Sequence, residues 1–331
     1  MTEPIRLGTR RSNLAMAQSG QVARALEVAS GRTVELVPIT SEGDTNRASL
    51  ASLGGTGVFA TRLREALLDD RCDVLVHSLK DLPTAPAPGL VVAGMPTRVD
   101  PRDVIITRDG TPLEELPAGS RVGTGSPRRM AQVRRANPSV EIFDLRGNVD
   151  SRMARVRDGE LDAIVLAAAG LGRLGAEIDL HVAPRELAEW PTAAGQGVLA
   201  VEIREDAPEP LRTAVASLTD PVTAFAQEVE RSALAGIEAG CHAPVGIHAF
   251  VAGEEVRVRA DVYAPDDADS VTLDERWPIP PGVFTAEAYS RGSGSDEATA
   301  GAYPRARTIG NDVARRLLVA GAAGLVADNP S

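Results

Sequence analysis

The chain has 331 residues, a length that predicts two or three domains. Its net charge of −11 argues against a general nucleic-acid-binding protein, and no uninterrupted apolar stretch reaches the roughly 18 residues that a membrane span needs. The first residues lack the basic-then-apolar layout of a secretory signal, so we expect a cytoplasmic protein without nucleic-acid or membrane partners.

Strand and helix signals alternate in the first part of the chain. We predict strand 5–9, a helix that Ser12 caps and that runs to about residue 28, strand 34–39, helix 59–68 and strand 74–77. Leu63, Leu67 and Leu68 define one apolar face of the second helix. This β-α-β-α-β order predicts a mainly parallel sheet with helices on both faces.

The same alternation restarts after a proline-containing crossing at 96–101. The predicted elements of this second α/β unit are strand 120–123, helix 127–136, strand 140–145, helix 149–157 and strand 163–167, with a second crossing near 195–197. From about residue 220 the pattern changes to a small α+β unit. Its predicted elements are helix 222–234, strands 245–251 and 255–263, a Gly/Ser-rich insertion at 289–303 and helix 308–320.

One lysine stands out in the basic composition. The 35 basic residues are 34 arginines and Lys80 alone, and arginine cannot replace lysine where a compact ammonium on a flexible stem is needed. Lys80 and Asp81 follow predicted strand 74–77, and ligands of open α/β sheets bind at the carboxyl ends of strands. The alternative is a lysine kept by chance in an exposed ion pair, which would contribute little. Its place at a predicted binding edge favours a functional role.

Arginines concentrate between residues 121 and 173, where ten arginines accompany six acidic residues. Such a basic island in an acidic protein indicates a local anion site. Ser126 suits a helix N-cap and Pro127 the first helical position. Arg128 and Arg129 then oppose the helix dipole, and a bound carboxylate or phosphate would resolve that conflict. The alternative is a solvated helix start.

A second arginine-bearing loop follows predicted strand 140–145. Arg146 lies at the strand end, and Gly147 allows a sharp turn. Asn148 can cap the next helix, and Arg152 lies one turn further along it. Because guanidinium forks match carboxylates, the two loops predict a ligand that carries more than one anionic group.

The two cysteines have different surroundings. Cys72 precedes an apolar strand and is predicted to lie in the core. Cys241 lies in a Gly/Pro-containing loop beside His242, where it could serve as a metal ligand or as a nucleophile. No second Cys or His lies at ligand spacing, so no metal site is predicted.

Taken together, these segments resemble the porphobilinogen deaminase family, also called hydroxymethylbilane synthase. The similarity runs in order along essentially the whole chain, through segments 8–12, 77–83, 123–129, 145–149, 168–174, 194–197, 230–231 and 240–241. A single such motif would be weak evidence, but this many in sequence order are specific. Ser52 and Thr56 depart from the family's pattern, because many members have lysines at this turn.

The resemblance implies an α/β fold with two periplasmic-binding-protein-like (type 2) α/β domains and a small C-terminal α+β domain. The implied limits are 1–98 with 198–217 for the first domain, 99–197 for the second and 218–331 for the third. It also implies a dipyrromethane cofactor joined to Cys241 by a thioether. The enzyme would condense four porphobilinogens on it, releasing ammonia each time, before hydrolysis frees linear hydroxymethylbilane.

The resemblance assigns roles to single residues. Asp81 would be catalytic, accepting the pyrrole N–H bond and stabilising the positive charge that develops as ammonia leaves. The residues that match the family's cofactor and substrate contacts are Arg10, Ser12, Lys80, Thr124, Ser126, Arg128, Arg129, Arg146, Arg152, Arg173 and Gln196. We expect a monomer that hands its product to the next enzyme of the pathway. The alternative is a non-enzymatic, two-lobed anion-binding protein, which would not explain Cys241.

Overall fold

The computed structural model describes residues 3–39, 58–175, 178–237, 243–264, 269–284 and 302–327. Ser52, Thr56, Cys241 and almost all of the predicted 289–303 insertion lie outside the described residues. The predictions made for them are therefore not tested by the fold.

Thirteen strands and nine helices make up the described part of the chain. The strands are β1 (Ile5–Thr9), β2 (Val34–Pro38), β3 (Val74–Ser78), β4 (Leu90–Gly94), β5 (Asp103–Thr107), β6 (Arg121–Gly123), β7 (Glu141–Phe143), β8 (Ala163–Ala167), β9 (His181–Pro184), β10 (Leu199–Arg204), β11 (Val245–Ala252), β12 (Glu255–Tyr263) and β13 (Ser270–Pro278). The helices are α1 (Asn13–Ser30), α2 (Val58–Leu68), α3 (Pro127–Ala136), α4 (Val149–Arg157), α5 (Ala168–Leu174), α6 (Glu209–Ala216), α7 (Pro221–Gly236), α8 (Ala302–Val319) and α9 (Ala322–Ala327).

The first sheet has the strand order β2-β1-β3-β10-β4. β1 pairs in parallel with β2 and β3, whereas β10 runs antiparallel to both of its neighbours. Helix α1 packs on this sheet, and it ends where Gly31 adopts a left-handed φ of 66°. Leu7 of β1 and Leu26 of α1 are fully buried in one core cluster. Each such side chain stabilises the fold by roughly 1.5–3 kcal/mol.

The second sheet repeats this plan in the order β7-β6-β8-β5-β9. β6 pairs in parallel with β7 and β8, and β5 runs antiparallel to both of its neighbours. In each sheet the antiparallel strand, β5 or β10, is the one by which the chain enters from the other sheet. The three strands predicted for each sheet run parallel, as expected, but two of the four pairings in each complete sheet are antiparallel, so both sheets are mixed.

The third unit is a three-stranded antiparallel sheet in the order β11-β12-β13, with α7 and α8 packed against each other beside it. Phe225 and Val229 of α7, Val258 of β12 and Ile309 of α8 share one buried core. The fold class is therefore as expected: two α/β units followed by a small α+β unit. The residue limits assigned to the three domains stay predictions.

Several sequence-based boundaries are wrong. Helix α8 begins at Ala302 instead of residue 308, and predicted strand 140–145 is only Glu141–Phe143. Leu68 does not join the buried face of α2, because it is the last helical residue and is 50% exposed. Strands β4, β5, β9, β10 and β13 were not predicted; for β4, β5 and β10 the reason is that a short apolar run cannot be assigned by periodicity alone. Cys72 lies in the core as predicted, with no exposed surface.

Candidate active site

Lys80 and Asp81 lie on a single 3-10 turn, Leu79–Asp81, directly after β3. Leu79 anchors this turn: its side chain is 1% exposed, and its N–H donates to the Val198 carbonyl at 3.0 Å. The turn therefore presents Lys80 and Asp81 at the carboxyl end of β3, the edge at which the sequence placed them.

Lys80 points to the crossing between the two sheets. Its Nζ donates to Gln196 Oε1 at 3.2 Å. Gln196 is fully buried, and its amide nitrogen donates to the Pro101 carbonyl at 2.7 Å and to Asp103 at 2.8 Å. Burial and the nearby charge of Arg129 lower the pKa of Lys80 to about 8. An ammonium held this way is only partly neutralised and can still attract an anionic ligand.

The single lysine makes this pKa directly measurable. Protein labelled with ¹⁵N-lysine has one side-chain resonance, and in the cofactor-free protein we expect it to titrate with a midpoint of about 8. The same sample unfolded in urea is the control and should titrate at about 10.4. The pKa of Lys80 is lower in the folded state than in the unfolded state, so protonated Lys80 lowers the free energy of unfolding at neutral pH. That cost disappears as the pH rises from about 8 to about 10.4. A folded-state midpoint that matched the urea sample would contradict the burial described above.

A buried carboxylate, Asp103 at the start of β5, holds both arginines of the α3 N-terminus. Arg128 Nη1 lies 2.8 Å from one oxygen of Asp103 and Arg129 Nη2 lies 2.6 Å from the other. Trp190 donates from its indole nitrogen to the same carboxylate at 3.0 Å. Burial alone would raise the pKa of Asp103, but the two guanidinium groups hold it far below its usual range. The sequence reasoning missed Asp103, although it is the only acidic residue of a buried apolar strand.

Thr124 and Ser126 line the loop before α3. Ser126 occupies the N-cap position, as predicted, but its side chain makes no capping hydrogen bond. Thr124 Oγ1 instead accepts from the Ser126 N–H at 3.3 Å. The hydroxyl of Ser126 is therefore available to a ligand at the helix N-terminus.

The second arginine-bearing loop presents Arg146 and Arg152. Arg146 donates to Asp144 at 3.1 Å and is exposed, and Arg152 donates to the Gly147 carbonyl at 2.8 Å. Burial, together with the charges of Arg129 and Arg146, lowers the pKa of Arg152 to about 10. The carboxylate of Asp81 acts on the same guanidinium in the opposite sense. Residues of both arginine loops and of the Lys80–Asp81 turn thus share one electrostatic environment.

Three further predicted residues lie on the helices that flank this cluster. Ser12 caps α1, because its Oγ accepts from the Ala15 N–H at 3.3 Å. Arg10, just before it, is partly buried. Arg173 on α5 donates to the Gly197 carbonyl at 2.8 Å, and burial lowers its pKa to about 10. Ser12 and Arg173 therefore have structural partners as well as their predicted ligand roles.

Helix α7 ties the third unit to the 195–197 crossing. The buried Glu230 accepts from Arg98 Nη1 at 2.6 Å, from the Gly195 N–H at 2.8 Å and from the Ala249 N–H at 2.9 Å. Burial raises the pKa of Glu230, but Arg98 outweighs it and the pKa falls to about 2. Gly195 has φ +83°, and a Cβ there would lie 3.0 Å from the backbone nitrogen of Lys80. Glu230 belongs to one of the segments that resemble the family, but the sequence did not predict that it links the third unit to this crossing.

The cluster suits a ligand with several carboxylates. The Nε atoms of Arg128, Arg129 and Arg173 are buried without a hydrogen-bond partner in the described part of the chain. Asp81 is exposed, and among the described residues none donates a hydrogen bond to its carboxylate. In the same ranges no group of three or more His, Cys, Asp or Glu side chains could hold a metal ion. One accessible carboxylate beside several cations defines an enzyme site for an anionic small molecule.

Comparison with known proteins identifies the family. Residues 5–212 match the family model "Porphobilinogen deaminase, dipyromethane cofactor binding domain", and residues 224–277 match "Porphobilinogen deaminase, C-terminal domain". The chain is 49% identical over 324 residues to the porphobilinogen deaminase of Leifsonia xyli, covering 97% of this chain and 94% of that protein. It is 48% identical over 338 residues to porphobilinogen deaminase 1 of Streptomyces coelicolor, covering 99% of each.

The chain belongs to the porphobilinogen deaminase family. It is a transferase of tetrapyrrole biosynthesis with a dipyrromethane cofactor, and the alternative of a non-enzymatic anion-binding protein is set aside.

Matches among solved structures have low sequence identity and low TM-scores. An ancestral cationic amino acid solute binding protein covers 65% of this chain and 88% of its own, with 16% identity and a TM-score of 0.41. The periplasmic VFT2 domain of BvgS from Bordetella pertussis has 12% identity and a TM-score of 0.40, covering 65% of this chain and 86% of its own. Within the described ranges, no helix has the length and apolar character to cross a membrane.

Proposed function

We propose that this chain joins four porphobilinogen molecules head to tail on its dipyrromethane cofactor. Each addition breaks the C–N bond of one aminomethyl group and forms a C–C bond from its methylene carbon to the free pyrrole α-carbon of the growing chain; the proton lost from that α-carbon balances the release of ammonia. A final hydrolysis, which consumes one water molecule, frees the linear tetrapyrrole hydroxymethylbilane and leaves the cofactor in place. The match over nearly the whole chain supports this reaction, and so does one feature of the site, the exposed carboxylate of Asp81.

Asp81 meets the main electrostatic demand of the reaction. When ammonia leaves, the bonding electron pair departs with nitrogen, and positive charge spreads over the pyrrole ring of the substrate. A carboxylate that accepts the pyrrole N–H stabilises that charge most strongly as it develops. Asp81 is suited to this role because no described residue donates to its carboxylate. It can also accept or return a proton at its oxygen atoms.

The cationic groups divide into two sets. Arg146 is exposed and Arg152 is partly exposed, so their guanidinium groups can contact the acetate and propionate groups of the pyrroles. Arg128 and Arg129 are 4% and 7% exposed and are held by Asp103. Their contribution is a fixed positive field that attracts anions, with few direct contacts.

The cofactor, joined by a thioether to Cys241, would supply a free pyrrole α-carbon as the acceptor for the first substrate. Lys80, Ser12, Thr124, Ser126 and Gln196 would hold its polar groups, together with Arg10 and Arg173. Lys80 supplies a compact cation, and Gln196 orients it at 3.2 Å. The cytoplasmic location, the monomeric state and the hand-over of product to the next enzyme stay predictions.

The intact mass of the purified protein tests this proposal. We expect the mass to exceed that of the bare sequence, 34.6 kDa, by one linked dipyrrole, and we expect the protein to react with aldehyde reagents for pyrroles. Cys241→Ala should lose both signals. Cys72→Ala is the matched control and should keep both, because Cys72 is buried in the core. A bare-sequence mass in protein produced with an ample supply of porphobilinogen would overturn the proposal.

A further inference from the structure

The guanidinium group of Arg231, on α7, donates hydrogen bonds to the backbone of the turn that carries Asp81. Its Nη1 donates to the Leu82 carbonyl at 3.1 Å and, at a longer 3.4 Å, to the Leu79 carbonyl. Its Nη2 donates to the Pro83 carbonyl at 2.5 Å. One guanidinium group from the third unit therefore donates to three backbone carbonyl groups that flank Asp81, those of Leu79, Leu82 and Pro83.

The turn needs such a support. It is a single 3-10 turn, a conformation with poor hydrogen-bond geometry, and Ser78 at its start makes no side-chain capping bond. Its one internal closing bond runs from the Leu82 N–H to the Leu79 carbonyl at 3.1 Å. Among the described residues none donates to the Asp81 carboxylate, so the support that this part of the chain gives to Asp81 comes through the backbone of the turn.

The neighbouring residue of α7 fixes backbone next to the same turn. Glu230 accepts from the Gly195 N–H at 2.8 Å, and a Cβ added to Gly195 would lie 3.0 Å from the backbone nitrogen of Lys80. Arg231 therefore binds the turn directly, whereas Glu230 holds the backbone packed against it. The same helix ends at Gly236, shortly before Cys241 in the sequence.

We propose that Arg231 is a positioning residue that fixes Asp81 relative to the cofactor-bearing third unit, and not a residue that binds substrate carboxylates. This inference rests on the proposed function, because it gives Asp81 its catalytic meaning. The fork of the guanidinium group is essential, since two nitrogen atoms must reach separate carbonyl groups. A lysine at this position would keep the positive charge but could not make all of these hydrogen bonds.

Two measurements on Arg231→Met test the proposal. Hydrogen exchange, followed by mass spectrometry in the cofactor-free Cys241→Ala background, should show faster exchange in the segment 79–87. In cofactor-loaded enzyme, kcat should fall about 10- to 100-fold with KM changed less than about twofold, because a misplaced catalytic group slows chemistry without weakening binding. Arg307→Met is the matched control: Arg307 pairs at the surface with Glu228, at 2.8 Å, and should change neither measurement.

The outcomes separate this inference from the proposed function. Unchanged exchange in the segment 79–87 overturns the inference, and so does a raised KM with unchanged kcat, which would mark Arg231 as a binding residue. If the parent enzyme did not consume porphobilinogen, the proposed function would fail. The exchange measurement would still test whether Arg231 holds the backbone of the turn. Should Arg231→Met not fold, Arg231→Lys decides, with intermediate exchange and an intermediate kcat as the expected result.

Discussion

Asp81→Asn is expected to lower kcat by about 100- to 1000-fold, the range found when one group aimed at developing charge is removed. Asparagine has nearly the same shape and can still accept one hydrogen bond from a pyrrole N–H. It carries no negative charge, so the positive charge formed as ammonia leaves loses its nearest counter-charge. The cofactor should remain attached, because Cys241 is unchanged.

Single-turnover measurements with porphobilinogen on cofactor-loaded Asp81→Asn would show this loss, provided that the intact mass verifies the cofactor first. Asp69→Asn serves as the control, since Asp69 is an exposed carboxylate just after α2, in the segment that leads into the start of β3, whereas the turn follows the end of β3. It should retain normal turnover. Near-normal turnover of Asp81→Asn would remove Asp81 from the catalytic role, whatever the state of the cofactor.

The Lys80–Asp81 turn illustrates what a sequence can predict. Its elements are local: the apolar strand before it, the turn itself and the singular lysine are all visible within a few residues. The rule that ligands bind at strand carboxyl ends then places the pair at the site. The parallel strand pairs of the two sheets follow from the same local alternation of strand and helix signals.

Asp103 illustrates what the sequence could not show. Its partners Arg128 and Arg129 lie 25 and 26 residues away, and Trp190 lies 87 residues away. The arginines at the α3 N-terminus were expected to need an external anion, yet an internal carboxylate already faces them. No local pattern reports which strand of a sheet will lie beside a given helix start, so a long-range ion pair of this kind escapes periodicity and motif arguments.

Asp103→Asn should therefore destabilise the protein strongly. The change leaves the buried Arg128 and Arg129 guanidinium groups without a counter-charge, and breaking a buried pair by removing one partner typically costs about 3–5 kcal/mol. Urea unfolding at neutral pH measures the loss of unfolding free energy. Asp274→Asn is the control: Asp274 pairs with Arg257 at the surface of β12 and β13, and its loss should cost about 1 kcal/mol or less.

The pH dependence provides a second, independent check on Asp103. Its folded-state pKa is depressed, so its contribution to stability is fully present above the unfolded-state pKa of about 4 and is lost as the pH falls below that value. The difference in unfolding free energy between the parent protein and Asp103→Asn should be constant from neutral pH down to about pH 5 and shrink below about pH 4. A difference that stayed constant through pH 4 would mean that the folded-state pKa of Asp103 is ordinary, and a difference that grew as the pH fell from neutral would mean that this pKa is raised. In either case the two arginines could not be its charged partners.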